Sequence, residues 1–298
     1  MRAPLSILIY QRVLAAPDPL FPECLHGRRF EQHLRLLTRW FRLMPLSRAV
    51  AHLAGGTLPP RSACLTFDHG YAEHASVALP LLQRYGVPAT FFVAASYLDG
   101  GCTWSDIVTE VVRNAPGERL NLARSGFASY DIGCPQRRRA VIEMLLAALR
   151  LLPPHERLAR ARSMARRVTP TMLSSDQLLA LHRAGMEIGA HPLHHTALAS
   201  LSNAAARAEI AEGRSRIEDI LQAPVRLFAY PSGKPGQDFE HRHGLMLRAQ
   251  GFQAAVGMGP GAARSGSDLF ALPRIAPCEH AGGGAFLLRL AGNLFTRP

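Results

Sequence analysis

No stretch of this 298-residue chain approaches the ~18 consecutive apolar residues of a membrane-spanning helix, so nothing in it reads as a transmembrane segment. Cysteine is sparse, and the five present (Cys24, Cys64, Cys102, Cys134 and Cys278) lack the close pairing of a zinc knuckle or a redox motif. An odd count in so long a chain also argues against a disulfide framework, and Cys64, inside an apolar run, reads as a small core residue. Lysine is all but missing. Lys234 stands alone, so the formal net charge of +12 is carried by arginine, dispersed in clusters no longer than Arg137 to Arg139 and Arg166 to Arg167. Proteins that grip nucleic acid gather their charge on one face, so no nucleic-acid partner is expected; contact with an anionic membrane surface or an anionic substrate stays open.

What the chain does have is ample apolar material. At 48% hydrophobic residues it can bury a large core, as one big α/β domain or two small ones. In the opening segment Leu5 to Tyr10 is apolar and Arg2 precedes it, but Gln11 and Arg12 interrupt before a signal peptide's apolar region forms, and no clean small-residue cleavage site follows. The segment therefore reads as a buried first strand, and a cytoplasmic location, peripheral at a membrane, is the expectation.

Short apolar runs alternate with amphipathic stretches. The strand candidates are Ser6 to Tyr10, Ala63 to Phe67, Ala89 to Ala94, Met186 to Ala190, Arg226 to Tyr230, Gln253 to Val256, and a weak one at Leu269 to Ile275. Helical spacing of Phe30, Leu34, Leu37, Phe41 and Met44 predicts a helix over Phe30 to Leu43. Ser174 with Gln177 predicts a capping box on a helix that ends at Gly185, and a third helix runs from about Ser202 to before Pro224. Alternation of this kind implies a parallel sheet, open or closed into a barrel. Thr103 to Thr171 differs: it is Arg-rich, broken by prolines, mostly helical and without a confident strand, and reads as an insertion on a single domain.

The chemistry-bearing residues cluster by position. Asp68, His69, His191, Tyr230 and Ser232 all fall at or just past the C-terminal ends of strand candidates, the edge where α/β active sites assemble. His191 and His195 are four apart, so both rings can reach one metal, and Pro192 biases His191 toward the extended backbone of a strand end. His194 could take the place of His195, but neighbours on one backbone point in different directions, so only one of them binds. His74, His182, His241 and His243 have no such context and read as surface or helix-face residues.

Leu65 to Tyr71 resembles the first motif of the polysaccharide deacetylases, carbohydrate esterase family four, whose turn reads Thr, Phe, Asp, Asp, Gly. Glu187 to His195 resembles their second motif and Phe228 to Gly233 their third. Ile7 to Val13 and Leu272 to Ile275 are similar to the flanking signatures of the branch with an N-terminal Tyr-His-Arg sequence. The resemblance runs from about Ser6 to Ile275 and implies a distorted (β/α)7 barrel, in agreement with the seven strands. It also implies that Asp68 is the general base, that His69, His191 and His195 hold a divalent metal, with zinc foremost and cobalt, nickel or iron as alternatives, and that the backbone N–H of Ser232 helps bind an oxyanion. Arg274 would then orient Asp68; from sequence alone a surface arginine is an equal reading. Tyr230, Ser232 and Gln11 are the expected substrate contacts.

Three departures from the family pattern carry physical consequences. His69 replaces a second acid, which three-histidine catalytic zinc sites tolerate. Gln11 replaces a histidine that resembles the acid protonating the leaving amine, and Gln cannot titrate. Ser232 stands where a Tyr is frequent, which keeps the backbone donor and loses apolar wall. The expected function is a metal-dependent hydrolase removing N-acetyl groups from a sugar in a polysaccharide, oligosaccharide or lipid-linked glycan precursor. The alternative is an impaired barrel of the same family that binds carbohydrate or a partner protein.

Overall fold

A computed structural model describes residues 3–165 and 169–277, together with Leu290 and Gly292. Cys278 and the pair Arg166 to Arg167 lie outside the described residues; Cys64, Cys102 and Cys134 are free thiols.

The chain opens with β1 (Leu5–Tyr10), whose six residues are all buried, as suits a strand covered on both faces. Helix α1 (Gly27–Trp40) follows, with Phe30, His33, Leu34 and Leu37 inward at helical spacing. It ends three residues before the sequence reading, because Phe41 is extended and Arg42–Leu43 forms a short strand, β2. After α2 (Leu46–Gly55), β3 (Ser62–Phe67), α3 (Leu79–Tyr85) and β4 (Ala89–Val93), the chain enters the 103–171 region. There α4 (Trp104–Asn114), the hairpin β5 (Arg119–Asn121) and β6 (Ser129–Asp131), α5 (Pro135–Arg150) and α6 (Pro154–Met164) enclose their own apolar cluster around Ile107, Val112, Ile142 and Leu145. The hairpin escapes the sequence reading because its three-residue strands are polar and largely exposed, with no apolar alternation to read. The main body resumes with α7 (Ser175–Arg183), started by the Ser174–Gln177 capping box, then β7 (Glu187–Ala190), α8 (Asn203–Leu221), β8 (Leu227–Ala229), α9 (His241–Ala249), β9 (Ala254–Met258) and β10 (Leu272–Arg274).

The main sheet is parallel, in the order β1-β3-β4-β7-β8-β9-β10. One residue closes the ring: Ile9 N–H donates to the Ile275 carbonyl and Ile275 N–H to the Ile7 carbonyl, both at 3.0 Å. The architecture is a distorted (β/α)7 barrel. Part of the distortion lies at the second edge of β3, which β2 takes at Ser62 and Ala63 and β4 takes from Leu65 onward. The weak candidate near Leu269 to Ile275 is thus the strand that shuts the barrel.

Period-two alternation divides the side chains. Leu5, Ile7, Cys64, Phe92, Leu227, Ala229, Val256 and Leu272 fill the interior, and α2 plugs its lower end with Leu46, Ala49, Val50 and Leu53. Leu8, Tyr10, Leu65, Phe67, Phe91, Val93, Ile188, Phe228 and Tyr230 face the surrounding helices. Glu187 holds the plug: its carboxylate accepts hydrogen bonds from Leu46 N–H (2.8 Å), Ser47 N–H (3.2 Å) and the Thr90 hydroxyl (2.8 Å), at the positive end of the helix. Gly189 is required by Phe92, since a Cβ there would lie 2.4 Å from the ring. Gly189→Ala is therefore expected to destabilise the fold by about 1–3 kcal/mol through overpacking, read as a lowered urea midpoint with an unchanged m value; an unaltered midpoint would show that Phe92 has room to move.

Candidate active site

The interior rows of β3, β7 and β10 end in Asp68, His191 and Arg274 at one mouth of the barrel. Arg274 is 1% exposed and Asp68 5%. Its guanidinium grips Asp68 with both forks, Nη1 to Oδ1 at 2.6 Å and Nη2 to Oδ2 at 2.8 Å, and also donates to the Thr66 hydroxyl at 3.2 Å. Phe92 forms the floor, with the guanidinium carbon 5.6 Å from its ring centroid. Burial alone would push the Asp68 carboxyl up, but the Arg274 charge and hydrogen bonds, helped by His191, outweigh it and hold the pKa down at about 2. The surface-arginine reading of Arg274 is excluded.

Three imidazoles gather beside this pair. The ring centroids of His69 and His195 are 4.4 Å apart, those of His191 and His195 5.0 Å, and those of His69 and His191 6.0 Å. His191 Nδ1 lies 2.7 Å from the Ala229 carbonyl, which can only accept, so Nδ1 carries the proton and Nε2 presents a lone pair. That Nε2 is 3.7 Å from Asp68 Oδ2. His69 Nδ1, His191 Nε2 and His195 Nε2 are all buried without a hydrogen-bond partner. Burial depresses each ring's pKa to about 3, so all three are neutral donors at ordinary pH. Among the described residues no group of three or more His, Cys, Asp or Glu side chains stands in a ready metal-holding arrangement; the rings are gathered rather than closed on one point.

The backbone is strained at this mouth. His69 (φ 77°), His195 (φ 54°) and Ser232 (φ 54°) all occupy the left-handed region, which non-glycine residues seldom enter. Gly70 (φ 87°) follows His69, and a Cβ on it would meet Val93 at 3.1 Å, so the turn packs tightly onto β4.

His195 turns inward to the other rings, whereas His194 is 58% exposed and bonded to Glu209, which decides between the neighbours. Gln11 is exposed just past β1, and its carbonyl accepts a hydrogen bond from His74 Nε2 at 2.6 Å. Ser232 is exposed beyond β8. Tyr230 is not brought to the group. Alternation along β8 turns its ring out of the barrel, parallel to Phe239 at 3.7 Å, and its hydroxyl donates to the Phe270 carbonyl at 2.9 Å. His74 and His243 are fully buried, not on the surface. Neither shows in strand-end spacing: His74 sits on a π-helical turn ahead of α3, and His243 faces the core from α9.

Residues 55–128 and 155–254, more than half of the chain, match the family described as Polysaccharide deacetylase. The chain belongs to the polysaccharide deacetylase family. It is accordingly a hydrolase of carbon–nitrogen bonds, and its fold is that of solved family structures. It is similar to the Streptococcus pyogenes deacetylase PplD in complex with acetate (16% identity, TM-score 0.65, covering 99% of this chain and 100% of that one). It is also similar to IcaB from Ammonifex degensii (20%, 0.63, 98% and 97%) and to a de-N-acetylase from Aggregatibacter actinomycetemcomitans (15%, 0.60, 96% and 99%).

Burial of the three rings gives this deacetylase a definite pH response. In the unfolded chain the histidines protonate near 6.5 while the buried rings resist to about 3, so the unfolded state takes up protons first. Their contribution to the stability of the metal-free protein is full above that range and falls as pH drops, three protons together giving about 4 kcal/mol per pH unit at the steepest. Buried His33 and His74, depressed to about 4, add to the fall. Asp68 acts in a lower window, its contribution complete above the ordinary 3.8 and lost toward about 2. Urea midpoints compared at about pH 7.5 and 5.5 are expected to fall sharply; pH-independent midpoints would mean that the rings charge freely when folded.

Proposed function

We propose that this deacetylase removes N-acetyl groups from a glycan in a metal-dependent reaction, with Asp68 as general base and His69, His191 and His195 as the metal-holding residues. The observation that carries the reading is the trio of buried imidazole nitrogens without partners, each costing roughly 1–3 kcal/mol if left unmade. Three neutral nitrogen donors suit zinc and also cobalt, nickel or iron. A divalent cation there would supply Lewis acidity toward the amide carbonyl.

The chain's own groups do the rest. Asp68, ionised and pinned by Arg274, presents its carboxylate to a water and accepts the proton as the water attacks the amide. A carboxylate held at about 2 is a weak base, so it demands an acidified water rather than a bulk one. The backbone N–H of Ser232, a residue of positive φ just past β8, would serve as a donor to developing negative charge on the carbonyl oxygen. Gln11 in place of a titrating side chain leaves the departing amine without a side-chain acid at that position, which supports slow turnover and keeps a glycan-binding role as the second reading.

Among the described residues no helix is long and apolar enough to cross a membrane. The +12 charge supports a polyanionic or lipid-linked glycan at an anionic membrane surface, with binding that weakens as salt rises.

Two measurements test the reading. Protein purified without added metal, then loaded, is expected to bind one divalent ion per chain; failure to bind any would remove the metal reading. Acetate release from N-acetylglucosamine oligomers is expected to fall about 10²–10⁴-fold in Asp68→Asn, and equal rates would show that Asp68 is not the base.

A further inference from the structure

The loop from His191 to His195 is held from outside the barrel, and the holding group is a carboxylate on α8. Glu209 accepts hydrogen bonds from the backbone N–H of His194 (2.9 Å) and from His194 Nδ1 (2.7 Å), while its own carbonyl accepts from Leu193 N–H at 3.0 Å. One turn on, Gly213 lets the helix backbone come so close that a Cβ would lie 2.8 Å from the His191 carbonyl and 3.0 Å from Leu193 N. The other side of the loop is also tied: Ser96 N–H donates to the Leu193 carbonyl at 3.1 Å and the Tyr97 hydroxyl to that of His194 at 3.2 Å.

These ties converge on the residue before His195, whose left-handed φ of 54° costs roughly 1–2 kcal/mol for a residue with a Cβ. Such a conformation persists only where the surroundings over-determine it. The inward ring of His195 follows from that φ, and the φ follows from a loop that cannot relax. Glu209 is only 16% exposed at its side chain and makes two hydrogen bonds to one residue, so it supplies the strongest of the restraints.

We propose that Glu209 is a positioning residue: by clamping His194 it sets the His195 ring toward His69 and His191, and so tunes the affinity of the three-histidine site for a divalent cation. The proposal rests on the metal reading above.

The test uses the full chain, with zinc alone as the probe, in competition with a chromophoric chelator, alongside thermal melts of the metal-free proteins. Glu209→Ala is expected to weaken zinc binding about 10–100-fold, the range for residues that orient metal ligands. Glu209→Gln keeps one acceptor and His194→Ala keeps the backbone bond, so each is expected to lose less. Glu212→Ala, exposed on the same helix, is expected to leave the affinity unchanged. If Glu209→Ala fails to fold, the Gln and His194 variants carry the test. Wild-type affinity in Glu209→Ala, Glu209→Gln and His194→Ala, with stoichiometric zinc in the wild type, would overturn the positioning role and leave the metal reading standing. A wild type that takes up no zinc would overturn both. A lowered melting temperature with unchanged affinity would make Glu209 a fold residue only and sink the proposal.

Discussion

The pairing of Asp68 with Arg274 is the interaction on which the rest of the molecule depends. An unpaired guanidinium that is 1% exposed, or an unpaired carboxylate beside it, is among the most costly arrangements a protein interior can hold, on the order of 3–5 kcal/mol when one partner is removed. The pair links β3, which leads into the Asp68–Gly70 turn, to β10, which closes the barrel, passing over β1 between them. Thr66 extends the link, receiving a hydrogen bond from Arg274 and donating to the Leu8 carbonyl at 2.8 Å. The floor beneath is Phe92, and Phe92 in turn dictates glycine at position 189.

Geometry at the mouth shows how a parallel barrel can make reactive groups from ordinary residues. Strand alternation puts Asp68, His191 and Arg274 on the inner row without special sequence, and the barrel interior above Phe92 buries them. Burial keeps the imidazoles neutral and the local positive charge keeps the carboxylate ionised, so base and ligand candidates are separated by environment rather than by residue type. The price is backbone strain, concentrated at His69, His195 and Ser232.

Much of this was legible in the sequence. All seven barrel strands show as short apolar runs, and the capping box at Ser174 marks its helix start, because these features are local. The residues at strand ends could be read from the same pattern, since the edge where chemistry collects is a property of parallel topology. What stayed hidden depends on contacts distant in the chain. The outward turn of Tyr230 follows from a register of β8 that only packing against Phe239 and Phe270 reveals. Glu209 lies on a helix face with no motif, and its role exists only because α8 comes down on the histidine loop. Arg42–Leu43 continues a helical periodicity into a strand, an instance of tertiary pairing overriding local pattern. The polar hairpin at Arg119–Asn121 and Ser129–Asp131 offered no hydrophobic signal at all.

The closure of the ring through Ile275 alone carries a further meaning. Every other junction of the barrel except that between β7 and β8 has several paired residues, whereas here two hydrogen bonds on a single residue join the last strand to the first. The seam is narrow, yet Arg274, next in the chain to Ile275, is fastened to the Asp68 carboxylate. Parting the seam would therefore pull the guanidinium away from Asp68, so breathing of the barrel and disassembly of the site are a single event. Amide protons at Ile9 and Ile275 would exchange with solvent on the same clock as the Asp68–Arg274 pair opens.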